Sequence, residues 1–326
     1  MAILAAHNMS YKPTQTLAQA QSRAAMLFAI RQFFADKGVM EVTTPILSNA
    51  GNTDTFIESV AAHFHQSGKL ATGYLHTSPE FAMKRLLAAW QVPMYQICQV
   101  FRDNERGTKH NIEFTMLEWY RPHFSLDDLT EELRQLISIV MDKPIAFKKL
   151  SYADSFSPLD IHPHRDSIES FKACAIAHDI HLDMADDRQG WLDLLFSHLI
   201  EPDLGKDMPT LVVDYPLATA ALAKAELDTD GCLVAKRFEL YIDGIEIANA
   251  YDELADGDEL FARFTADNAQ RQQLSLPIMP IDKHLIAACD QMPPCSGIAL
   301  GVDRLLMVRD RLPSIDHAIA ITTDKA

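Results

Sequence analysis

Phe101-Arg102-Asp103-Asn104-Glu105-Arg106-Gly107-Thr108-Lys109-His110-Asn111-Ile112-Glu113-Phe114-Thr115-Met116-Leu117-Glu118-Trp119-Tyr120 reads as the end of one strand, a polar loop and a second strand. The apolar segments are Tyr95–Phe101 and Phe114–Tyr120, and the loop between them carries Arg102, Arg106 and Lys109. An arginine at a strand end, facing a basic loop, suits an anion held against a sheet. Far downstream, Gly297-Ile298-Ala299-Leu300-Gly301-Val302-Asp303-Arg304-Leu305-Leu306-Met307 places a second arginine where a glycine-bearing strand turns into a helix. No G-x-x-x-x-G-K-[ST] run occurs, so a phosphate site here does not use a P-loop.

Two such arginines, about two hundred residues apart and each in a rigid setting, resemble motifs 2 and 3 of the class II aminoacyl-tRNA synthetases. Motif 2 spans about 95–121 and motif 3 about 296–310. The resemblance implies an α+β fold in which an antiparallel β-sheet is flanked by helices. It also implies a single catalytic domain over residues 1–326. Nearer the N-terminus, Thr14 or Thr16 can cap a helix running to about Lys37, with Met26, Leu27, Ile30, Phe33 and Phe34 on one face. Gly38 ends it, and a short strand, Val39–Val42, is broken by Pro45. This unit, about 22–47, resembles motif 1, the dimer-forming element of the family, and implies a homodimer.

At 48% hydrophobic and 23% charged residues, the chain can fill a sizeable core and is not disordered. Its formal charge is −16 and no basic run occurs, so a general tRNA-binding surface is not expected. Five widely spaced cysteines without a C-x-x-C pair fit reduced thiols in a cytoplasmic protein and argue against structural zinc. Met1 to Ser10 shows no signal-peptide pattern, and no run of about 18 apolar residues could span a membrane.

Further helices are predicted over Phe81–Trp90 and, capped by Ser125, over Asp127–Met141. The middle third, Ser151–Ala235, offers no chemistry beyond a buried strand, Thr210–Tyr215, and reads as structural. Trp90, Trp119 and Trp191 read as core residues, and His63-x-His65 and His162-x-His164 lack the carboxylate or cysteine context of a metal site. Asp243-Gly244 signals a tight hairpin that sets Ile242 opposite Ile245 and Tyr241 opposite Glu246. Glu239 then shares a face with Glu246, diagonal to it. Two carboxylates so placed repel unless a cation lies between them, and magnesium suits one or two carboxylates plus phosphate oxygens.

The motifs look like the lysine branch of class IIb. His110-Asn111-x-Glu113-Phe114-Thr115-Met116-Leu117-Glu118-Trp119-Tyr120 is close to that branch's motif 2, and Glu246-Ile247-Ala248-Asn249-Ala250-Tyr251-x-Glu253-Leu254 resembles its lysine-pocket strand. The resemblance implies that ATP contacts Arg102, Asp103, Asn104, Asn111, Glu246, Ile247, Gly301 and Arg304, with Arg102 and Arg304 catalytic at the α- and γ-phosphates. The family has Arg-Asn-Glu where this chain has Arg-Asp-Asn-Glu, so Glu105 is an alternative adenine contact. Glu239 and Glu246 are the implied magnesium ligands. Ser78, Pro79 and Glu80 are placed at the substrate amino group, and Glu118 and Tyr120 along its side-chain channel. Asn249, Tyr251 and Glu253 are placed at the distal ammonium, and Ala299 replaces a usual glycine. Simple alternation sets those three residues on the face opposite Glu246, so the strand has to bend near Ala248–Ala250.

Motif 1 begins too early to leave room for an anticodon-binding OB-fold. A core of this length resembles the paralogue branch that activates (R)-β-lysine with ATP and joins it to a lysine side chain of elongation factor P. Arg106 and Lys109 are candidates for guiding that partner. The alternatives are a stripped lysyl-tRNA synthetase that still charges tRNA and an asparagine synthetase A-like enzyme. The carboxylates Glu80, Glu118 and Glu253 favour a diamino acid over the aspartate that the latter would need.

Overall fold

Helix α1 (Leu17–Asp36) begins where Thr16 accepts from the Gln19 amide at 3.3 Å while the Gln19 side chain accepts from the Thr16 amide at 2.7 Å. This reciprocal cap contributes about 1 kcal/mol. Gly38, at φ 66°, then turns the chain into β1 (Met40–Glu41). The computed structural model describes residues 11–326, so the reading of Met1 to Ser10 lies outside the described residues.

Next come β2 (Leu47–Ser48), β3 (Ala61–Gln66) and β4 (Lys69–Leu75), a separate three-stranded sheet in the order β2-β4-β3. Helix α2 (Glu80–Trp90) leads into the antiparallel pair β5 (Met94–Phe101) and β6 (Glu113–Pro122). Helix α3 (Leu126–Val140), capped by Ser125, precedes β7 (Lys148–Ser151). The middle third contributes α4 (Tyr152–Ser155), α5 (Ile168–Ala177), α6 (Arg188–Leu195), β8 (Thr210–Pro216) and β9 (Ala225–Leu227). After it run β10 (Leu233–Ile242), β11 (Ile245–Asp252), α7 (Gly257–Gln273), α8 (Lys283–Cys289), β12 (Cys295–Gly301) and α9 (Val302–Arg309).

The main sheet runs β1-β5-β6-β12-β11-β10-β8-β7, with β9 added beside β10. It is antiparallel inside and parallel at both ends, β1 with β5 and β7 with β8. Those parallel ends are the one departure from the expected antiparallel sheet. They arise because long crossovers connect the paired strands there instead of hairpins: the β2–β4 sheet with α2 at one end, and the helices of the middle third at the other.

One face of the sheet packs on α1, α3 and α9 around Phe34, Trp119, Leu133, Ile298 and Leu305, all at most 2% exposed. Arg23 of α1 donates to Asp303 at 2.8 Å and to Thr115 at 2.6 Å, and Asp303 accepts from the Thr115 amide at 2.6 Å. That clasp ties α1, β6 and the start of α9 together directly behind the two motif arginines. The middle third has its own core around Tyr152, Phe156, Trp191 and Leu195. Trp119 and Trp191 are buried as expected, whereas Trp90 is 51% exposed. It is the last residue of α2, where Gln91 turns left-handed, so it sits beyond the face that packs.

Candidate active site

Alternation along the central strands decides what faces the open side of the sheet. On β6, Leu117 and Trp119 join the helix-covered core, so Glu118 and Tyr120 point the other way. On β12, Ile298 and Leu300 are in the core, and Gly297, Ala299 and Gly301 face the open side. Strand β11 breaks this rule. Tyr241 pairs with Glu246 but Leu240 pairs with Ala248, so Ile247 is an extra residue, a β-bulge. Ile247 and Ala248 therefore both sit in the core, and the parity flips. Glu246, Asn249, Tyr251 and Glu253 all reach the open side. The expected bend exists, slightly upstream of Ala248–Ala250, and as an inserted residue.

Two cavities lie on that side. The first, about 110 Å³, is lined by Ser78, Glu80, Glu118, Tyr120, Tyr251 and Glu253 among others. Lys84, one turn after Glu80 on α2 and 1% exposed, places its ammonium 2.8 Å from Glu80 and 2.6 Å from Glu253. Tyr120 donates to Glu118 Oε1 at 2.7 Å, and Glu118 Oε2 is buried with no hydrogen-bond partner among the described residues. Burial, then the Glu80 charge, pushes the Glu118 carboxyl well above the usual range. Burial also pushes Glu253 up, against the pull of Lys84. For Lys84 itself, burial is outweighed by the Glu253 and Glu80 charges, which hold the ammonium above the ordinary lysine range. Gly297 is what lets these groups meet: a Cβ there would stand 2.5 Å from Tyr120 Cε1 and would collide with the Glu253 carboxylate.

The second cavity, about 240 Å³, is lined by Arg102, Glu105, Asn111, Glu239, Glu246 and Arg304 among others. Arg304, in the first turn of α9, donates to the Glu246 carboxylate and carbonyl at 3.1 Å each, and to His110 Nε2 at 2.5 Å. His110 is consequently held neutral: burial first, then the Arg304 charge, lowers it to about 4. Burial disfavours the Glu246 anion, but Arg304 and Arg102 outweigh it and keep the carboxyl below its ordinary value. Arg102 stacks over Phe114 at 5.3 Å, and its buried Nε has no hydrogen-bond partner among the described residues. Ile57, Arg102, Met116, Asn249 and Ala299 line both cavities and mark where they meet.

Glu239 receives the Tyr215 and Tyr241 hydroxyls at 2.5 Å each and is ion-paired to Arg237. Burial shifts its carboxyl upward against the Arg237 charge. Arg237 also donates to Asn249 at 3.0 Å, and Asn249 in turn donates to the Tyr251 hydroxyl at 2.9 Å. Glu239 and Glu246 line one cavity, and no cage of three or more His, Cys, Asp or Glu side chains forms among the described residues. Two carboxylates that leave the remaining positions to phosphate and water suit magnesium.

Most of the residues named from sequence thus converge. Asp103 and Asn104 do not line the cavity and lie exposed, with Asn104 left-handed at φ 61°, and Glu105 takes the position at the wall. Pro79 caps α2 beside the cavity rather than in it. Asn111 lines the cavity, but its amide donates to the Glu113 carbonyl at 2.6 Å and to Thr323 at 2.9 Å, which anchors the motif 2 loop. Arg106 pairs with Asp316 and Asp324, and Lys109 donates to the Gly244 carbonyl and pairs with Glu201, so both cations are engaged within the chain. Lys84, Arg237 and His110 received no individual role from sequence. The Glu80–Lys84 spacing of four on a helix was a readable signal for the first.

Residues 4–325 match the family of class II tRNA synthetases (D, K and N). An "Elongation factor P--(R)-beta-lysine ligase" of Photobacterium profundum is 44% identical over 323 residues, covering 97% of this chain and 99% of the relative. Proteins with the same name from Edwardsiella ictaluri and Pectobacterium carotovorum subsp. carotovorum are 42% and 41% identical, each covering 97% of this chain and 98% of the relative. With the two arginines at strand and helix ends, the glycine-bearing strand between them and this extent of similarity, the chain belongs to the class II tRNA synthetase family, in its aspartate, lysine and asparagine division.

Proposed function

We propose that the protein activates (R)-β-lysine with ATP as an aminoacyl-adenylate and transfers it to a lysine side chain of elongation factor P. The observation that carries this reading is the charge of the first cavity. Glu80, Glu118 and Glu253 gather around Lys84, with Arg102 apart at the junction of the cavities, so the three carboxylates leave two negative charges to be met there. A substrate with two ammonium groups meets both, and the unpartnered Glu118 Oε2 is a ready acceptor for one of them. An approaching ammonium also offsets the burial that raises the Glu118 carboxyl. The names carried by relatives at 41–44% identity support the same substrate and acceptor.

In this reading the substrate carboxylate lies at the junction of the cavities, beside Arg102 and Ala299. The carboxylate attacks the α-phosphate of ATP, pyrophosphate leaves, and Arg102 stabilises the charge that develops. Arg304 holds the γ-phosphate, and Glu105 takes the adenine side. Glu239 and Glu246 would hold magnesium, which supplies charge neutralisation for the phosphates. In the second step the uncharged acceptor amine forms a C–N bond to the acyl carbon. The C–O bond to AMP breaks with its electron pair, and the amine's surplus proton passes to solvent. We also take the active form to be a homodimer joined at the β1 edge, where Met40, Ile46 and Leu47 are each about 40% exposed.

The test is ATP–pyrophosphate exchange with a panel of amino acids, followed by mass measurement of elongation factor P and of tRNA after incubation. Exchange with β-lysine and a lysine-sized mass gain on the factor are expected. Aminoacylated tRNA with an unmodified factor would overturn the reading.

A further inference from the structure

A third cleft, about 420 Å³, opens onto the amino-acid cavity and shares Asn52, Thr77, Ser78 and Glu80 with it. It runs between the small β2–β4 sheet and the N-terminal ends of α2 and α8. In the proposed reaction the nucleotide fills the second cavity and the aminoacyl group fills the first. The acceptor amine therefore needs a further opening that reaches the acyl carbon, and the substrate end placed at Ser78 and Glu80 is the end this cleft meets.

The cleft is electrostatically zoned. Its rim carries Arg85, Lys283 and His284, all exposed. Arg85 and Lys283 have no ion-pair or hydrogen-bond partner among the described residues. The neighbouring Asp282 also lines the cleft, with its Oδ1 accepting from the His284 and Leu285 amides at 2.8 and 3.1 Å, so two cations stand against one carboxylate and the rim keeps a net positive charge. Inward, the wall turns anionic at Glu80, with Glu118 and Glu253 beyond it. A positive rim over a negative interior suits a ligand that is anionic where it docks and cationic at its tip.

We propose that this cleft is the acceptor entrance, and that it takes a protein loop presenting a lysine flanked by carboxylates. The loop's acidic residues meet Arg85 and Lys283, and the lysine side chain passes Ser78 and Glu80 to the acyl carbon. An RNA 3′ end fits less well, since its last phosphates would have to face the three interior carboxylates. The inference rests on the proposed ligase reading and names the docking surface of its second substrate.

The two half-reactions separate its failure from that reading's. Arg85→Glu/Lys283→Glu changes two exposed side chains outside the cavities, so ATP–pyrophosphate exchange with β-lysine should stay within about twofold of wild type. Transfer to elongation factor P, followed by mass gain over time, should slow at least about tenfold, as expected for reversing two docking charges. Unchanged transfer would overturn the entrance, as would an equal loss in both half-reactions. So would a variant that transfers normally to the factor but loses aminoacylation of tRNA. A wild type that exchanges β-lysine yet leaves the factor unmodified would instead break the ligase reading.

Discussion

The two cavities share one side of one sheet and five residues, yet one gathers surplus carboxylates and the other is close to balanced. The amino-acid cavity gathers three carboxylates around one buried ammonium, whereas the nucleotide cavity sets Arg102, Arg304 and Lys109 against Glu105, Glu239 and Glu246. In the first, the surplus is negative, and in the proposed reading a cationic substrate completes it. In the second, the arginine–carboxylate pairs are close to balanced in the free protein, and phosphate binding exchanges one partner for another. In the proposed reading, specificity for the amino acid therefore depends on surplus carboxylates, and ATP binding on exchangeable ion pairs. The bulge at Ile247 makes the juxtaposition possible, because without it Glu246 and Glu253 would face opposite sides of the sheet.

The largest effect is expected at Lys84. Removing one member of a buried ion pair typically costs about 3–5 kcal/mol, because the partner charge stays buried and uncompensated. Lys84→Met should lower the stability of the fold by about that amount in chemical denaturation. It should also narrow the preference for lysine over norleucine, since a protonated Glu253 no longer demands an ammonium. A stability near wild type would mean that the Glu80–Lys84–Glu253 triad is not the charge that defines the cavity.

At the junction, Arg102→Ala should lower pyrophosphate exchange by about two to three orders of magnitude, the usual loss when one preorganised donor to a developing oxyanion is removed. The fold should survive, because Arg102 is stacked on Phe114 and paired only distantly, at 3.8 Å, with Glu105. Near-normal exchange, measured beside an unchanged melting temperature, would remove the adenylation step assigned to this cavity.

Much of this plan was legible in the sequence, for identifiable reasons. Capping residues, glycine stops and the Asp243-Gly244 hairpin act locally, and α1, α3 and the β10–β11 turn appear where those signals put them. The motif arginines were readable because each lies at the end of a regular element. What stayed hidden depends on longer-range geometry. Nothing local marks Ile247 as the inserted residue, since Ile-Ala fits either parity. Gly297 reads as an ordinary strand glycine until Tyr120 and Glu253 are seen to converge on it from two neighbouring strands. Arg237 reads as the polar start of a hairpin, yet it orients both Glu239 and Asn249. Asp103 and Asn104 lie exposed while Glu105 lines the cavity, with Asn104 left-handed just before it, an arrangement that spacing alone leaves open.

A smaller effect sharpens the junction. Ala299 pairs in register with Glu118 on one side and Asn249 on the other, so its methyl separates an amino-acid ligand from a residue shared with the nucleotide cavity. A methyl in a tight pocket is worth about 1–3 kcal/mol of discrimination. Moving the amino group by one carbon shifts the substrate end that lies against this methyl. Ala299→Gly should therefore raise the use of α-lysine relative to β-lysine by on the order of tenfold in pyrophosphate exchange. An unchanged ratio would move that selectivity elsewhere in the cavity.

The smallest effect tests the nucleotide cavity through pH. His110 accepts from Arg304, and burial together with that charge lowers its folded value to about 4 from an ordinary 6.5. Because the folded value is the lower one, the unfolded chain takes up a proton first as the solution is acidified. The stability contributed by the neutral ring is thus complete above about pH 6.5, declines as pH falls, and is gone below about pH 4. His110→Gln keeps a neutral acceptor near Arg304 but cannot titrate. Thermal unfolding midpoints recorded between pH 6.5 and pH 4 should fall more steeply for the wild type than for His110→Gln. The difference should be modest, since the ring is only partly buried and water screens part of the Arg304 charge. Parallel curves would show that His110 is not held neutral by Arg304. In that case the balance of charge assigned to the nucleotide cavity would have to include a histidine cation.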